Sequence, residues 1–156
     1  WNVDGCVYAL AAWTLGTVII ADSNILIDIF DDDQDWADWS EEKIASLARD
    51  DSIVVNQIVV AEVAPRFGSV IAFQNMIADY GIMLLDFDAE AALEAGKAHT
   101  NYRRNRGKAA PSLALPDFFI GGHALVCGAT VLTRDPRFYR TYFPDIRLIT
   151  PDNDHD

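Results

Sequence analysis

The chain has 156 residues, 51% hydrophobic and 23% charged, which fits one globular domain with a sizeable core and excludes extended disorder away from the ends. Its net charge of -12 is unevenly spread: residues 1–100 carry 4 basic and 18 acidic side chains, residues 101–147 carry 8 and 3. The acidity weakens a nucleic-acid partner as a reading, and the local balance of +5 in the second stretch keeps it open.

Residues 1–16 are expected to be an N-terminal extension, from upstream or added sequence. No basic region precedes the apolar run Cys6 to Ala12, which argues against a signal peptide. Gly16, the nearby threonines and the flanking Asp4 and Asp22 argue against a membrane span. The domain is expected over residues 17–151, with a polar tail at 152–156.

Thr17 to Ala21 is apolar and β-branched and reads as a buried parallel strand. A short helix over Asn24 to Phe30 follows, with Ile25, Leu26, Ile29 and Phe30 on one face, then a solvated loop from Asp31 to Asp35. Trp36, Trp39, Ile44, Leu47 and Ala48 recur at helical spacing, so residues 35–49 are expected to be amphipathic, the tryptophans packing on it. Ser52 to Val55 is the second strand, and Asn56 is placed to cap a helix that carries Glu62 and is bent or ended by Pro65.

A further helix is predicted over Ser69 to Tyr80, with Val70, Ile71, Phe73, Met76 and Ile77 inward, ended by Gly81. Ile82 to Leu85 is the third strand, and Asp88 caps a helix running to about Tyr102. Residues 103–116 read as a basic, proline-punctuated loop. Pro116 and Asp117 open the next helix, which stops near Gly128, and Cys127 in it is expected as a buried thiol. Two cysteines without metal-type spacing suggest neither a zinc site nor a disulfide framework, and fit a reducing cytoplasm. Ala129 to Thr133 and Ile146 to Ile149 complete five strands. Strands alternating with helices predict an α/β fold: a doubly wound, Rossmann-like, mainly parallel five-stranded sheet with helices on both faces.

Four acids stand out against that frame: Asp22, Glu62, Asp117 and Asp135. Asp22 and Asp135 follow strands directly, Asp117 starts a helix, and Glu62 lies within about two turns of the start of another. In open α/β sheets the carboxyl ends of the strands form the site, so all four can meet at one edge. Converging carboxylates repel unless a cation neutralises them, and Mg²⁺ (or Mn²⁺) suits all-oxygen ligation while keeping waters able to attack a phosphate. Whether one ion or two would bind stays open. Ser23, Asn24 and Thr133 are candidate supporting groups, and Asp28, one turn beyond Asn24, is expected to be solvated.

The run Val18-Ile19-Ile20-Ala21-Asp22-Ser23-Asn24-Ile25-Leu26-Ile27 resembles the opening of PIN-domain ribonucleases. Val60-Ala61-Glu62-Val63, Leu115 to Ala124 and Gly128 to Phe138 resemble their later acidic motifs, in the same order. The similarity covers about residues 17–151 and is nearest to VapC-type toxins of toxin–antitoxin pairs. It implies a PIN-like fold and an Mg²⁺-dependent endoribonuclease that hydrolyses RNA phosphodiester bonds with a metal-activated water. It further implies a cognate antitoxin partner and a homodimer, with Asp22, Glu62, Asp117 and Asp135 as catalytic and metal-binding residues.

Arg103, Arg104, Arg106 and Lys108 form the clearest basic cluster, for RNA phosphates or an acidic antitoxin segment. Arg134, Arg137 and Arg140 flank the fourth acid and can hold an RNA backbone. His99, His123 and His155 lack ligand-like spacing, and His123 reads as a helix residue beside the core. The alternative to an enzyme is a non-catalytic PIN-like domain acting through a protein partner. A phosphotransfer receiver lacks a suitably placed lysine, and a dehalogenase-like phosphatase needs an Asp where Asn24 stands.

Overall fold

The computed structural model describes residues 16–105 and 115–153. Strands β1 (Val18–Ala21), β2 (Ser52–Val55), β3 (Met83–Leu84), β4 (Thr130–Leu132) and β5 (Leu148–Ile149) form one sheet, ordered β3-β2-β1-β4-β5, with every pairing parallel. Between β1 and β2 lie α1 (Ser23–Phe30) and α2 (Ala37–Leu47); between β2 and β3 lie α3 (Gln57–Val63) and α4 (Val70–Asp79). Helices α5 (Ala89–Asn105) and α6 (Leu115–Cys127) precede β4, and α7 (Arg137–Tyr142) precedes β5.

The central strands are buried on both sides, as continuous apolar runs require: Ile19, Ile20, Ala21, Val54, Val55, Val131 and Leu132 are each at most 3% exposed. From β1 the chain steps outward through β2 to β3, then returns to lay β4 on the other side of β1. Right-handed crossovers therefore put α1 to α4 on one face and α5 to α7 on the other. The order reverses between β1 and β4, where Ala21 pairs with Leu132 and the Asp22 N–H donates to the Leu132 carbonyl at 2.9 Å. Sites of open α/β sheets form in the crevice at such a switch point.

Helix starts follow local chemistry. The Asn56 side chain accepts the N–H groups of Ile58 and Val59 at 3.0 and 3.1 Å, and Ser69 accepts that of Ala72 at 3.1 Å. Asp88 accepts the Ala91 N–H at 2.8 Å. Gly81 and Gly128 end α4 and α6 with φ of 69° and 62°, a conformation that favours glycine.

Several expectations need correction. Val70 and Ile71 are 70% and 68% exposed, while Phe73 and Ile77 form the buried stripe of α4. Val70 shares that stripe but sits in the first turn, beyond the packed surface, and Ile71 points off it. Residues 103–105 continue α5 rather than opening a loop, and α7 forms where only a connection to the last strand was expected. Cys127 is half-buried and disulfide-bonded, not a buried thiol. Residues 1–15 of the expected extension, the basic residues Arg106 and Lys108, and residues 154–156 of the tail lie outside the described residues. Among the described residues no helix is long and apolar enough to cross a membrane.

Helices α5 and α6 pack closely because α6 carries glycine at the contact. A Cβ on Gly122 would lie 2.6 Å from the Ala95 nitrogen and 2.7 Å from the Ala91 carbonyl oxygen. Both are backbone atoms, so only separation of the helices relieves the clash. Gly122→Ala gains about 1 kcal/mol of helix propensity and incurs overpacking of about 1–3 kcal/mol. A net loss is expected as a lower denaturant midpoint, and an unchanged or higher midpoint would contradict the packing argument.

Candidate active site

The site begins where β1 ends. Asp22 occupies the cap position of α1, yet its carboxylate makes no cap hydrogen bond and turns instead into the crevice. It is 4% exposed. Its Oδ2 accepts the Thr133 hydroxyl at 2.8 Å and the Asn24 amide at 2.9 Å, while the Ser23 hydroxyl approaches Oδ1 at 3.4 Å. Burial pushes the Asp22 pKa up, opposed by the Thr133 hydroxyl, the nearby Tyr139 phenol and Ser23, which favour the charged form.

Thr133, fully buried just past β4, is hydrogen-bonded to capacity. Its hydroxyl donates to Asp22 and accepts from Asn24 Nδ2 at 3.0 Å and from the Asp135 N–H at 3.1 Å. Asn24 also accepts the Arg134 N–H at 3.3 Å. Asn24 and Thr133 thus join the ends of β1 and β4, while Ser23 contacts the adjacent Asp22.

Glu62 reaches the crevice from α3. Its Oε2 is buried without a hydrogen-bond partner among the described residues. Burial raises its pKa first; the Ser23 hydroxyl opposes this and the charge of Asp22 adds to it. Asp117 lies in the first turn of α6, and its pKa is pushed up to about 7, by burial first and then by Asp22, Glu62 and Asp135. That repulsion shows all four acids acting on one region. Among the described residues no three His, Cys, Asp or Glu side chains close on a point tightly enough to hold an ion as they stand. The four acids are neighbours at electrostatic range, not a preformed cage.

Asp135 is the most open of the four, its side chain 51% exposed. Arg137 clamps it with two bonds, Nε to Oδ1 at 2.9 Å and a terminal nitrogen to Oδ2 at 2.8 Å, which holds its pKa down. Beside it opens a cleft of about 330 Å³ lined by Arg134, Asp135, Pro136, Arg137, Arg140 and Asp152. Arg103 and Arg104 are exposed in the last turn of α5, where cations suit the helix end, and are not among the charges acting on the four acids.

Three features were not anticipated from the sequence. Tyr139, on the unforeseen α7, is 1% exposed with its phenol beside Asp22; burial and then the charges of Asp22, Asp117 and Glu62 raise its pKa. The phenol oxygen makes no well-formed hydrogen bond among the described residues, so its influence on Asp22 is one of proximity. The aromatic run Phe138-Tyr139 after the fourth acid was the available signal. Asp28 is 1% exposed rather than solvated: Ser40 donates to it at 3.1 Å, and Arg134 Nε stands 3.0 Å away as an ion pair not aligned as a hydrogen bond.

His123 is the third. It is fully buried on α6, and its Nδ1 lies 3.1 Å from the Asn56 amide nitrogen. Because Asn56 Oδ1 is occupied by the α3 cap, its amide donates and Nδ1 accepts, leaving the proton on Nε2. Burial keeps the imidazole neutral, with Asp88 pulling weakly the other way. This contact ties the start of the Glu62 helix to the helix that carries Asp117.

The fold has relatives among solved structures. VapBC2 from Rickettsia felis, bound to a DNA fragment from its promoter, has a chain matching with a TM-score of 0.66 at 19% identity, over 86% of this chain and 98% of that one. A chain of VapBC-1 from nontypeable Haemophilus influenzae matches at 0.60 and 21% identity over 86% and 98%. A chain of FitAcB from Neisseria gonorrhoeae matches at 0.60 and 17% over 86% and 99%. No curated protein matches this sequence. The family model of the PIN domain matches residues 19–144, most of the chain, and the chain belongs to the PIN domain family.

Proposed function

We propose that this chain is a metal-dependent endoribonuclease and the toxin of a VapC-type toxin–antitoxin pair. The observation that carries the reading is the gathering of buried Asp22 with half-buried Glu62 and Asp117 within range of one another's charge, with Glu62 Oε2 left unpaired among the described residues. Unused carboxylates buried together are costly, and a hard divalent cation removes the cost. The all-oxygen donor set fits Mg²⁺ or Mn²⁺, with Asp22, Glu62 and Asp117 as the residues that would hold it and Asp135 beside them. Bound there, the ion would supply Lewis-acid stabilisation of the phosphate and a more acidic water.

The chain's own groups do the rest. Thr133 and Asn24 donate to Asp22 Oδ2 and hold the carboxylate in place, Thr133 also favouring its charged form against burial. A carboxylate of the cluster takes the proton of a water that attacks phosphorus, the P–O bond to the leaving oxygen breaks, and that oxygen is protonated from solvent. Arg137 and Arg140, 86% and 52% exposed, offer charge to the RNA backbone on the Asp135 side. The VapBC neighbours support an antitoxin as a partner, and a homodimer in the cytoplasm is part of the same reading.

The purified protein is expected to cut single-stranded RNA with Mg²⁺ or Mn²⁺ and to stop when a chelator is added. Tight binding of a small protein partner with no cleavage under any divalent ion would favour the binding-only alternative.

A further inference from the structure

We infer that Arg134 is a positioning residue: paired with buried Asp28, it clamps the turn that carries Thr133 and Asp135 onto α1, beside Asp22. The inference rests on the nuclease reading and adds to it a residue pair that sets the site from behind.

Asp28 lies six residues after Asp22 and is 1% exposed, where a lone carboxylate is expensive. The ion pair with Arg134, at 3.0 Å, and the Ser40 hydroxyl from α2, at 3.1 Å, compensate it. The same guanidinium lies 5.9 Å from the Trp36 ring centroid. Three parts of the fold meet at one side chain: α1, α2 with its approach, and the turn after β4.

The backbone of Arg134 makes a second attachment to the same helix. Its N–H donates to Asn24 Oδ1 at 3.3 Å, and Asn24 in turn donates to Asp22 and Thr133. Asn24 and Asp28 are four residues apart, on one face of α1 and one turn from each other. Arg134 therefore grips α1 at two points, by main chain and by side chain. Thr133 and Asp135 sit on either side of it, so their placement against Asp22 follows from this grip. The side chain is matched by a buried acid and is itself 33% exposed, whereas Arg137 and Arg140 pair with the exposed acids Asp135 and Asp152 and remain 86% and 52% exposed toward the cleft. Lysine cannot reproduce the planar contact with both Asp28 and Trp36.

The test compares Mn²⁺ affinity by calorimetry, thermal unfolding and RNA cleavage in the wild type, Asp28→Leu/Arg134→Met and Arg134→Lys. The double variant removes both charges, so no buried ion is orphaned and its unfolding midpoint should stay near the wild type. Its Mn²⁺ affinity is expected to fall about 10- to 100-fold, as loss of groups that orient ligands does. Arg134→Lys should fall in between. Unchanged affinity in the double variant overturns the inference and leaves the pair purely structural. Should the double variant not fold, the same comparison is made with Asp28→Asn. A wild type that neither binds Mn²⁺ nor cuts RNA sinks the nuclease reading itself and this inference with it. With a wild type that does both, the variants bear on Arg134 alone.

Discussion

Asp117→Asn is expected to abolish metal-dependent RNA cleavage while making the metal-free protein more stable at pH 8. The two effects share one cause. Asp117 is half-buried and feels the charges of Asp22, Glu62 and Asp135, and its pKa rises from 3.8 to about 7. An acid whose folded pKa is raised binds more protons in the native state between those values, so stability falls as pH climbs from about 4 to about 7. Above that range the penalty is fully present; below the unfolded value it is gone. Converted directly, the shift would be about 4 kcal/mol; partial exposure of the carboxylate and screening reduce the expected gain to about 1–2 kcal/mol.

Urea midpoints of wild type and Asp117→Asn at pH 8 and pH 4 test this: the variant's advantage should be present at pH 8 and vanish at pH 4. Mn²⁺ at 100 times its dissociation constant should stabilise the wild type by about 2.7 kcal/mol and the variant by much less. Loss of a carboxylate that would hold the charge-stabilising ion should lower the rate by at least about a thousandfold, leaving no detectable cleavage. Cleavage at the wild-type rate would remove Asp117 from the site. A stability gain that persists unchanged at pH 4 would show that carboxylate repulsion is not its source.

How much of the fold and the site was legible in the sequence depended on whether a signal was local. Strands β1, β2 and β4 are short apolar runs closed by turn residues, and Asn56, Ser69 and Asp88 cap the helices that follow them. Asp22 and its partner Thr133 were legible because both stand at strand ends, where the sheet decides direction. Asp28 was not, because helical spacing places it a turn from Asn24 without revealing Ser40, twelve residues on, or Arg134, more than a hundred. Tyr139 was hidden for the same reason: α7 has six residues, too few for a periodic pattern, and its buried face is defined by contacts made across the sheet. Val70 failed in the opposite direction, since helical periodicity names an apolar face and not how far along the helix packing extends, and Ile71 because it lies off the buried stripe of Phe73 and Ile77.

Phe118→Ala is expected to be the most damaging single change to the fold, costing about 3–5 kcal/mol where a domain of this kind has about 5–15 kcal/mol in total. The ring is fully buried and meets Phe138 at 4.8 Å, His99 at 5.0 Å, Tyr142 at 5.3 Å and Tyr102 at 5.6 Å between centroids. Those partners come from α5 and α7, so one side chain of α6 joins three helices on that face of the sheet. Edge-to-face pairs such as Phe118 with Phe138 add about 0.5–1.5 kcal/mol beyond area burial. Phe118 also follows Asp117 directly, and α7 carries Tyr139, so the cluster that holds the helices together also sets two groups of the crevice. Phe118→Leu keeps most of the volume and should lose far less. Equilibrium unfolding of both variants is the measurement. A loss below about 1 kcal/mol for the alanine variant would mean that the helices are held by backbone contacts such as that at Gly122, and the aromatic cluster would lose its place as the support of the site.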